Sequence, residues 1–198
     1  MRLQQTMLIL IVLCFCLAFK KPEMAGELET TKDETSMFYT FKEKKIEGKL
    51  VDFSIYKGKA CLVVNTACNC GLAKSNFETI REIKNKHPEI AILLFPSSVD
   101  LTIYMVEQEE AQKEETIQKM KENGVYDIST VFEKCKINGK DGSHLFAYLS
   151  KEAPGLFGTK AVKWNFTKFL VSKTGDKVTR FGPKEHYSDM KSALEESV

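Results

Sequence analysis

The sequence has few histidines and almost no excess of charge of either sign. Its three histidines, His87, His144 and His186, are far apart, and none has a partner at metal-ligand spacing. We therefore expect no zinc site. Basic and acidic residues number 29 and 27, which gives a formal net charge of +2. A chain so close to balance has no broad basic surface, so no nucleic-acid partner is expected.

Long apolar runs are also missing, with one exception at the N-terminus. Residues 7–19 are uninterruptedly apolar. This run is shorter than the ~20 residues that a membrane-spanning helix needs, and it is typical of a signal-peptide core. A retained signal anchor is the alternative, because two lysines follow the run directly and small residues come only later.

The rest of the chain predicts one folded domain. With 198 residues, of which 43% are hydrophobic, it can form a single sizeable core. We expect a signal peptide or anchor over 1–21, a polar flexible linker over 22–36 and a globular domain over 37–198. This organisation predicts a protein of the secretory pathway or a secreted one, with membrane contact only through an uncleaved N-terminal segment.

Six cysteines are distributed unevenly along this chain. Cys14 and Cys16 fall in the N-terminal segment and are lost if it is cleaved. The other four are Cys61, Cys68, Cys70 and Cys135. A secreted disulfide scaffold spreads its cysteines along a short, loop-rich chain. Here two of the four share one turn, which favours redox chemistry over cross-linking.

The stretch 63–74 indicates where that chemistry occurs. An apolar run leads into Cys68 and Cys70, and a helical pattern follows. A helix N-terminus directs unpaired N–H groups and partial positive charge at the turn before it, which favours a thiolate. We expect Cys70 to be a catalytic nucleophile, whereas Cys61 is expected to face the core as a small apolar side chain.

The order of elements predicts an α/β fold. A hairpin over 38–41 and 49–55 precedes a buried strand at 60–65, a helix at 75–86 and a second buried strand at 90–95 that Pro96 ends. Helices at 107–121 and 143–150, a hairpin over 166–172 and 177–181, and a last helix capped by Ser188 follow. A mixed central sheet flanked by helices in this order is the thioredoxin-like architecture.

From residue 38 onward the chain resembles the glutathione peroxidase family, in its cysteine-containing, non-selenium form. The most specific motifs are VNTACNCG at 64–71 and KWNFTKFL at 163–170. Shorter matches lie in the family's order at 57–59, 95–96, 132–134 and 138–139.

The resemblance implies a site and an activity. Cys70 matches the peroxidatic residue, and Trp164 and Asn165 match the side chains that hydrogen-bond it. The implied enzyme reduces hydrogen peroxide or organic hydroperoxides through a sulfenic acid, as in a response to oxidative stress. It binds no cofactor and uses glutathione or thioredoxin as its reducing co-substrate. The short connection over 150–163 resembles monomeric members.

Two departures from the family's pattern bear on this expectation. The family's tetrad glutamine aligns with Val99, which cannot donate a hydrogen bond, and Gln108 is the nearest glutamine. The resolving cysteine of thioredoxin-dependent members falls near Met120. Cys68 and Cys135 are the candidate substitutes for that resolving cysteine. Because the tetrad glutamine is lost as a hydrogen-bond donor, there is an alternative to the peroxidase. The chain is then a weakly active or inactive thioredoxin-like redox sensor or binding domain.

Overall fold

The computed structural model describes residues 36–98 and 112–198, which belong to one unit of the chain, Thr35–Val198. The strands are β1 (Lys42–Lys44), β2 (Leu50–Asp52), β3 (Cys61–Thr66), β4 (Ala91–Ser98), β5 (Thr130–Val131), β6 (Cys135–Lys136), β7 (Lys168–Val171) and β8 (Val178–Phe181). The helices are α1 (Ala73–Lys86), α2 (Lys113–Glu122), α3 (His144–Glu152) and α4 (Tyr187–Ser197). Short 3₁₀ helices cover Met37–Thr40, Phe53–Tyr56 and Leu156–Gly158. Each helix of these two ranges is too short or too polar to cross a bilayer.

The main sheet has β3 at its centre. Its strand order is β5-β4-β3-β7-β8, with β6 also paired to β4. The pairing of β3 with β4 is parallel and that of β3 with β7 is antiparallel, so the sheet is mixed. All six residues of β3 are buried. This confirms the predicted βαβ unit and the buried strand at its start.

Side chains of β3 alternate between two apolar cores, one on each face of the sheet. Leu62 and Val64 join a core that α1, α2 and α4 cover, and we call it the α1 core. Cys61 and Val63 join the opposite core, which is rich in phenylalanine and contains residues of α3; we call it the α3 core. The period of two places consecutive residues on opposite faces. Helices therefore cover both faces, as expected for the α/β fold.

The N-terminal hairpin is confirmed, but one of its predicted strands is wrong. β1 and β2 pair antiparallel, whereas Met37–Thr40 is a 3₁₀ helix. Phe38 and Tyr39 are both buried in the α3 core. A strand would direct these two neighbours to opposite sides, but one turn of helix lets both point inward.

The expectation that Pro96 ends the second buried strand is also wrong. β4 continues to Ser98, with Pro96 opposite the last residue of β3. Beyond the proline, Ser97 and Ser98 pair in parallel with Cys135 and Lys136 of β6. Proline removes one N–H donor, and here it falls where the pairing with β3 finishes. The strands β5 and β6 have only two residues each, too few to show any periodicity.

The last helix begins one residue before the predicted cap. His186, not Ser188, is the N-cap residue of α4. Its backbone N–H donates to a carboxylate oxygen of Asp189 at 2.8 Å, and its backbone carbonyl accepts from the N–H of Asp189 at 3.1 Å. Histidine is not among the favoured N-cap residues, so the sequence rule selected the nearby serine instead.

Candidate functional site

The turn that carries the two cysteines connects β3 directly to α1. The N–H of Cys70 donates to the carbonyl of Ala67 at 3.2 Å, and the carbonyl of Cys70 accepts from Ala73 at 2.9 Å. These bonds fix Cys70 immediately before the first turn of the helix. The N-cap residue of α1 is Leu72, whose side chain makes no capping hydrogen bond.

The sulfur of Cys70 interacts with this helix terminus. The backbone N–H of Leu72 donates to Sγ of Cys70 at 3.5 Å. The sulfur therefore supplies an acceptor at an end of the helix where N–H groups lack intrahelical partners. The terminus also carries partial positive charge, which favours an anion at this sulfur. This is the local geometry that the sequence predicted.

Cys68 and Cys70 are partly buried and both pack against the α1 core. Between them, Asn69 is exposed and accepts a hydrogen bond from Nζ of Lys119 on α2. Lys119 also pairs with Glu115 at 2.6 Å, and this hydrogen bond lowers the pKa of the Glu115 carboxyl. Helix α2 is thus joined to the turn by a polar contact that sequence reasoning missed. Lys119 is one of many charged residues on a polar helix, so nothing in the pattern distinguished it.

A second segment, 164–166, is joined to the end of β3. The side-chain amide of Asn65 donates to the carbonyl of Trp164 at 3.2 Å, and the N–H of Phe166 donates to the carbonyl of Asn65 at 2.7 Å. Asn65 lies five positions before Cys70 and is fully buried. A buried amide at the end of an apolar strand is the one signal in the sequence that could have indicated this junction.

The backbone at Phe166 is held in the left-handed region. Its φ is 61°, a backbone angle that residues other than glycine rarely adopt. The Phe166 ring packs edge-on against Phe77 of α1 at 5.5 Å between centroids. Packing against α1 and the bond to Asn65 stabilise this unusual conformation. Residues 164–166 are therefore positioned by the same strand and helix that flank the cysteine turn.

The two predicted donor residues differ in exposure. Asn165 is 8% exposed, whereas Trp164 is 55% exposed. A tryptophan that only fills a core would be largely buried, so the structure does not place Trp164 as a core residue. Its indole is accessible to solvent, as a side chain that meets a substrate must be. Val99 and Gln108, the two positions considered for the tetrad glutamine, lie outside the described residues.

Lys168, at the start of β7, is a buried charged residue that follows segment 164–166 in the chain. It is 0% exposed, and its Nζ donates to the carbonyls of Phe166 at 3.3 Å and Gly182 at 3.2 Å. Desolvation by burial lowers the pKa of the Lys168 amine to about 8, partly opposed by the negative charge of Glu185. In the sequence, Lys168 is distinguished only as part of the motif at 163–170.

The four described cysteines divide between the two cores. Cys61 is fully buried in the α3 core, as predicted, and burial raises the pKa of its thiol to about 12. Cys135 packs against the same α3 core, while Cys68 and Cys70 pack against the α1 core. Met120, near the family's resolving position, is fully buried in the α1 core.

This distribution predicts the order in which the thiols are alkylated. We expect iodoacetamide to modify the partly buried Cys70 before Cys61, because the Cys61 sulfur is inaccessible and stays protonated at neutral pH. Peptide mapping of the native protein after graded exposure measures this order, and the unfolded protein provides the control. Modification of Cys61 first, without unfolding, would contradict the arrangement.

Metal chemistry has no support in the described ranges. Within 36–98 and 112–198, no three side chains of His, Cys, Asp or Glu are grouped so that they could hold an ion. What the arrangement offers is a thiol at a helix terminus, an exposed indole and a buried amide on the adjoining segment. Thiol chemistry on a small substrate is what these groups can perform.

Comparison with known proteins agrees with this chemistry. A family model described as "Glutathione peroxidase" matches residues 38–150. A relative named "Glutathione peroxidase" from Lactococcus lactis is 36% identical in an alignment of 161 residues that covers 79% of this chain and 96% of that protein. The crystal structure of T. cruzi GPX1 is 30% identical with a TM-score of 0.62, over 81% of this chain and 95% of that one. The structure of a thioredoxin family protein from Chlorobium tepidum is only 14% identical, with a TM-score of 0.57. The match covers 79% of this chain and 92% of that protein, and it supports the thioredoxin-like fold.

Proposed function

The chain belongs to the glutathione peroxidase family, and on that premise we propose that it is a thiol-dependent peroxidase whose nucleophile is Cys70. The observation that carries the assignment is the hydrogen bond from the N–H of Leu72, at the start of α1, to Sγ of Cys70. A thiolate is the reactive form of cysteine, and this donor and the helix terminus both favour it. The substrates are hydrogen peroxide or organic hydroperoxides.

The first half of the reaction oxidises the enzyme. The Cys70 thiolate attacks the terminal oxygen of the hydroperoxide, so an S–O bond forms while the O–O bond breaks. The leaving oxygen takes a proton from solvent and departs as water or an alcohol. The sulfur becomes a sulfenic acid and the hydroperoxide is reduced by two electrons.

The second half restores the thiol. A reducing thiol attacks the sulfenic sulfur, an S–S bond forms, and the hydroxyl leaves as water after it is protonated. A second thiol then exchanges with this disulfide, which returns Cys70 to its reduced form. Glutathione or a thioredoxin-type dithiol supplies both thiols, so the cycle needs no bound cofactor.

We propose that the protein acts as a monomer in the secretory pathway. Its short 150–163 connection supports the monomer, and its N-terminal apolar run supports the location.

Trp164 and Asn165 are proposed to donate hydrogen bonds to the reacting sulfur and oxygen atoms. An indole N–H and an amide N–H suit an anionic acceptor. Their segment is attached to Asn65, just before the cysteine turn. This attachment supports a role at Cys70 for both residues.

We expect Trp164→Phe to lower kcat/KM for the hydroperoxide by about 10²-fold, the size of effect measured when one such donor is removed. The variant keeps an aromatic ring but lacks the N–H. Peroxide-dependent turnover at fixed reductant measures the change. The control is Phe157→Leu, since Phe157 is an aromatic residue that also lies between α3 and β7 and is 97% exposed. Equal loss in both variants, or no loss in Trp164→Phe, would contradict the proposed role.

Coupled assays of the wild-type protein test the overall function. NADPH oxidation is followed with hydrogen peroxide or cumene hydroperoxide, coupled through glutathione and glutathione reductase or through thioredoxin and its reductase. We expect peroxide-dependent oxidation above the rate without protein in at least one system. Absence of turnover in all four combinations would reject the peroxidase. It would favour the alternative based on Val99, a redox sensor or binding domain.

A further inference from the structure

We propose that Cys68 is the resolving thiol of this protein, which closes a disulfide with Cys70 inside the β3–α1 turn. The inference rests on the proposed function, because it begins from the sulfenic acid at Cys70. It adds a second reacting thiol and selects the class of reductant, a dithiol of the thioredoxin kind. The division of the cysteines between the two faces of the sheet supports it.

The other described thiols are on the wrong side of the sheet. Cys61 and Cys135 contact the α3 core, and Cys68 and Cys70 contact the α1 core. Side chains on opposite faces of a sheet point away from each other, whereas a disulfide needs Cα atoms within about 7 Å and side chains that point toward each other. Cys61 is also at the first position of β3, so the length of the strand separates it further from a turn that follows the last position.

Helix α2 cannot supply a thiol from the near side. It lies on the same face as Cys70, since Met120 is buried in the α1 core. It contains no cysteine, and Met120 fills the interior where a resolving residue of the family would fall. The hydrogen bond from Lys119 to Asn69 instead attaches α2 to the turn itself.

Cys68 meets the distance requirement through the covalent chain. Two trans peptide bonds separate its Cα from that of Cys70, and cis bonds are absent from the described residues. Consecutive Cα atoms are about 3.8 Å apart, so the pair cannot exceed about 7.6 Å and is closer in a turn. The bond from Cys70 N–H to the carbonyl of Ala67 closes such a turn around Cys68 and Asn69.

The resolving step balances without a further reactant. The Cys68 thiolate attacks the Cys70 sulfenic sulfur, an S–S bond forms and the S–O bond breaks, and the hydroxyl leaves as water with the proton that Cys68 gave up. A disulfide across one intervening residue is strained, and strained disulfides are the readily reduced, catalytic kind. An external dithiol then reduces it in two exchange steps and leaves both cysteines as thiols.

The test uses the full chain, fully reduced and treated with one equivalent of hydrogen peroxide in the presence of dimedone, which captures sulfenic acids. Non-reducing peptide mapping then locates the oxidised sulfur. We expect wild type to give mainly a Cys68–Cys70 disulfide and Cys68→Ser to give mainly dimedone adduct on Cys70. In addition, Cys68→Ser is expected to lose at least tenfold more thioredoxin-coupled than glutathione-coupled turnover. The matched control, Cys135→Ser, should give the wild-type products.

Each other outcome overturns a distinct claim. If wild type carries as much adduct on Cys70 as Cys68→Ser does, Cys68 is not the resolving thiol and the peroxidase assignment stands. A disulfide from Cys70 to Cys61 or Cys135 likewise excludes Cys68 as the resolving thiol and leaves the peroxidase intact. If Cys70 is not oxidised in either protein, the proposed function itself fails, and the proposal for Cys68 fails with it.

Discussion

Replacing Cys70 with serine is expected to lower peroxide turnover by at least about 10³-fold, because removing a nucleophile takes away the reaction path itself. A serine hydroxyl at this position has nearly the same volume as the thiol. It stays protonated at neutral pH and cannot form a sulfenic acid, so neither half of the cycle operates. The variant should fold normally, since position 70 is only partly buried.

Cys61 and Cys135 should not rescue this variant. Cys61 is inaccessible, and both residues contact the α3 core, on the face of the sheet opposite the α1 core that Cys70 contacts. Coupled NADPH oxidation, with peroxide concentration varied, measures the loss. Cys135→Ser is the matched control and should keep wild-type turnover. If the Cys70→Ser protein retains more than about a tenth of the activity, the nucleophile is another residue.

The second large effect concerns Lys168 and the pH dependence of stability. Burial lowers the pKa of its amine to about 8 from the ordinary 10.5. Below pH 8 the lysine is protonated in both the folded and unfolded states, and the folded state bears the cost of a desolvated charge. Between pH 8 and 10.5 the unfolded chain binds the proton and the folded chain does not. The free energy of unfolding therefore rises with pH across this window.

The contribution is measured as a difference between wild type and Lys168→Met. One pKa unit corresponds to about 1.4 kcal/mol, so we expect the wild type to gain about 3 kcal/mol relative to the variant from pH 7 to pH 10.5. Buried Cys61 and Tyr39, whose pKa values burial raises to about 12, lower stability at high pH in both proteins and cancel in the difference. Urea unfolding at several pH values gives the comparison. The exposed Lys177→Met is the control, and equal pH slopes for wild type and Lys168→Met would contradict the burial of a titrating amine.

The parts of the fold that the sequence predicts are those with a strong repeating pattern. The apolar run of β3, the helical period of α1 and the hairpin of β7 and β8 all appear where expected. The predictions from sequence are wrong where tertiary packing overrides a local preference. Phe38 and Tyr39 have the composition of a strand, yet two adjacent buried aromatic rings need a helical turn. Pro96 is a strand breaker in isolation, but it is tolerated where the partner strand has ended.

For the candidate site, sequence alone predicts a thiol between a strand and a helix, but not the polar contacts around it. The position of Cys70 between an apolar strand and a helix is visible in the order of residues. The contact of Lys119 with Asn69 joins residues 50 positions apart, and it depends on how α2 packs. The burial of Lys168 likewise follows from the pairing of β7 between β3 and β8. Long-range contacts of single polar residues leave no periodic trace, so they require the folded structure.

The most direct test of the account is to identify the sulfur that a hydroperoxide oxidises first. The reduced Cys68→Ser protein is mixed with substoichiometric hydrogen peroxide and dimedone, then digested and mapped by mass spectrometry at increasing times. We predict that the adduct appears first and almost wholly on Cys70, and that prior unfolding in urea abolishes this selectivity. An adduct that appears equally fast on Cys135, or a native Cys70 that reacts no faster than the unfolded one, would contradict the claim that the β3–α1 turn activates this thiol.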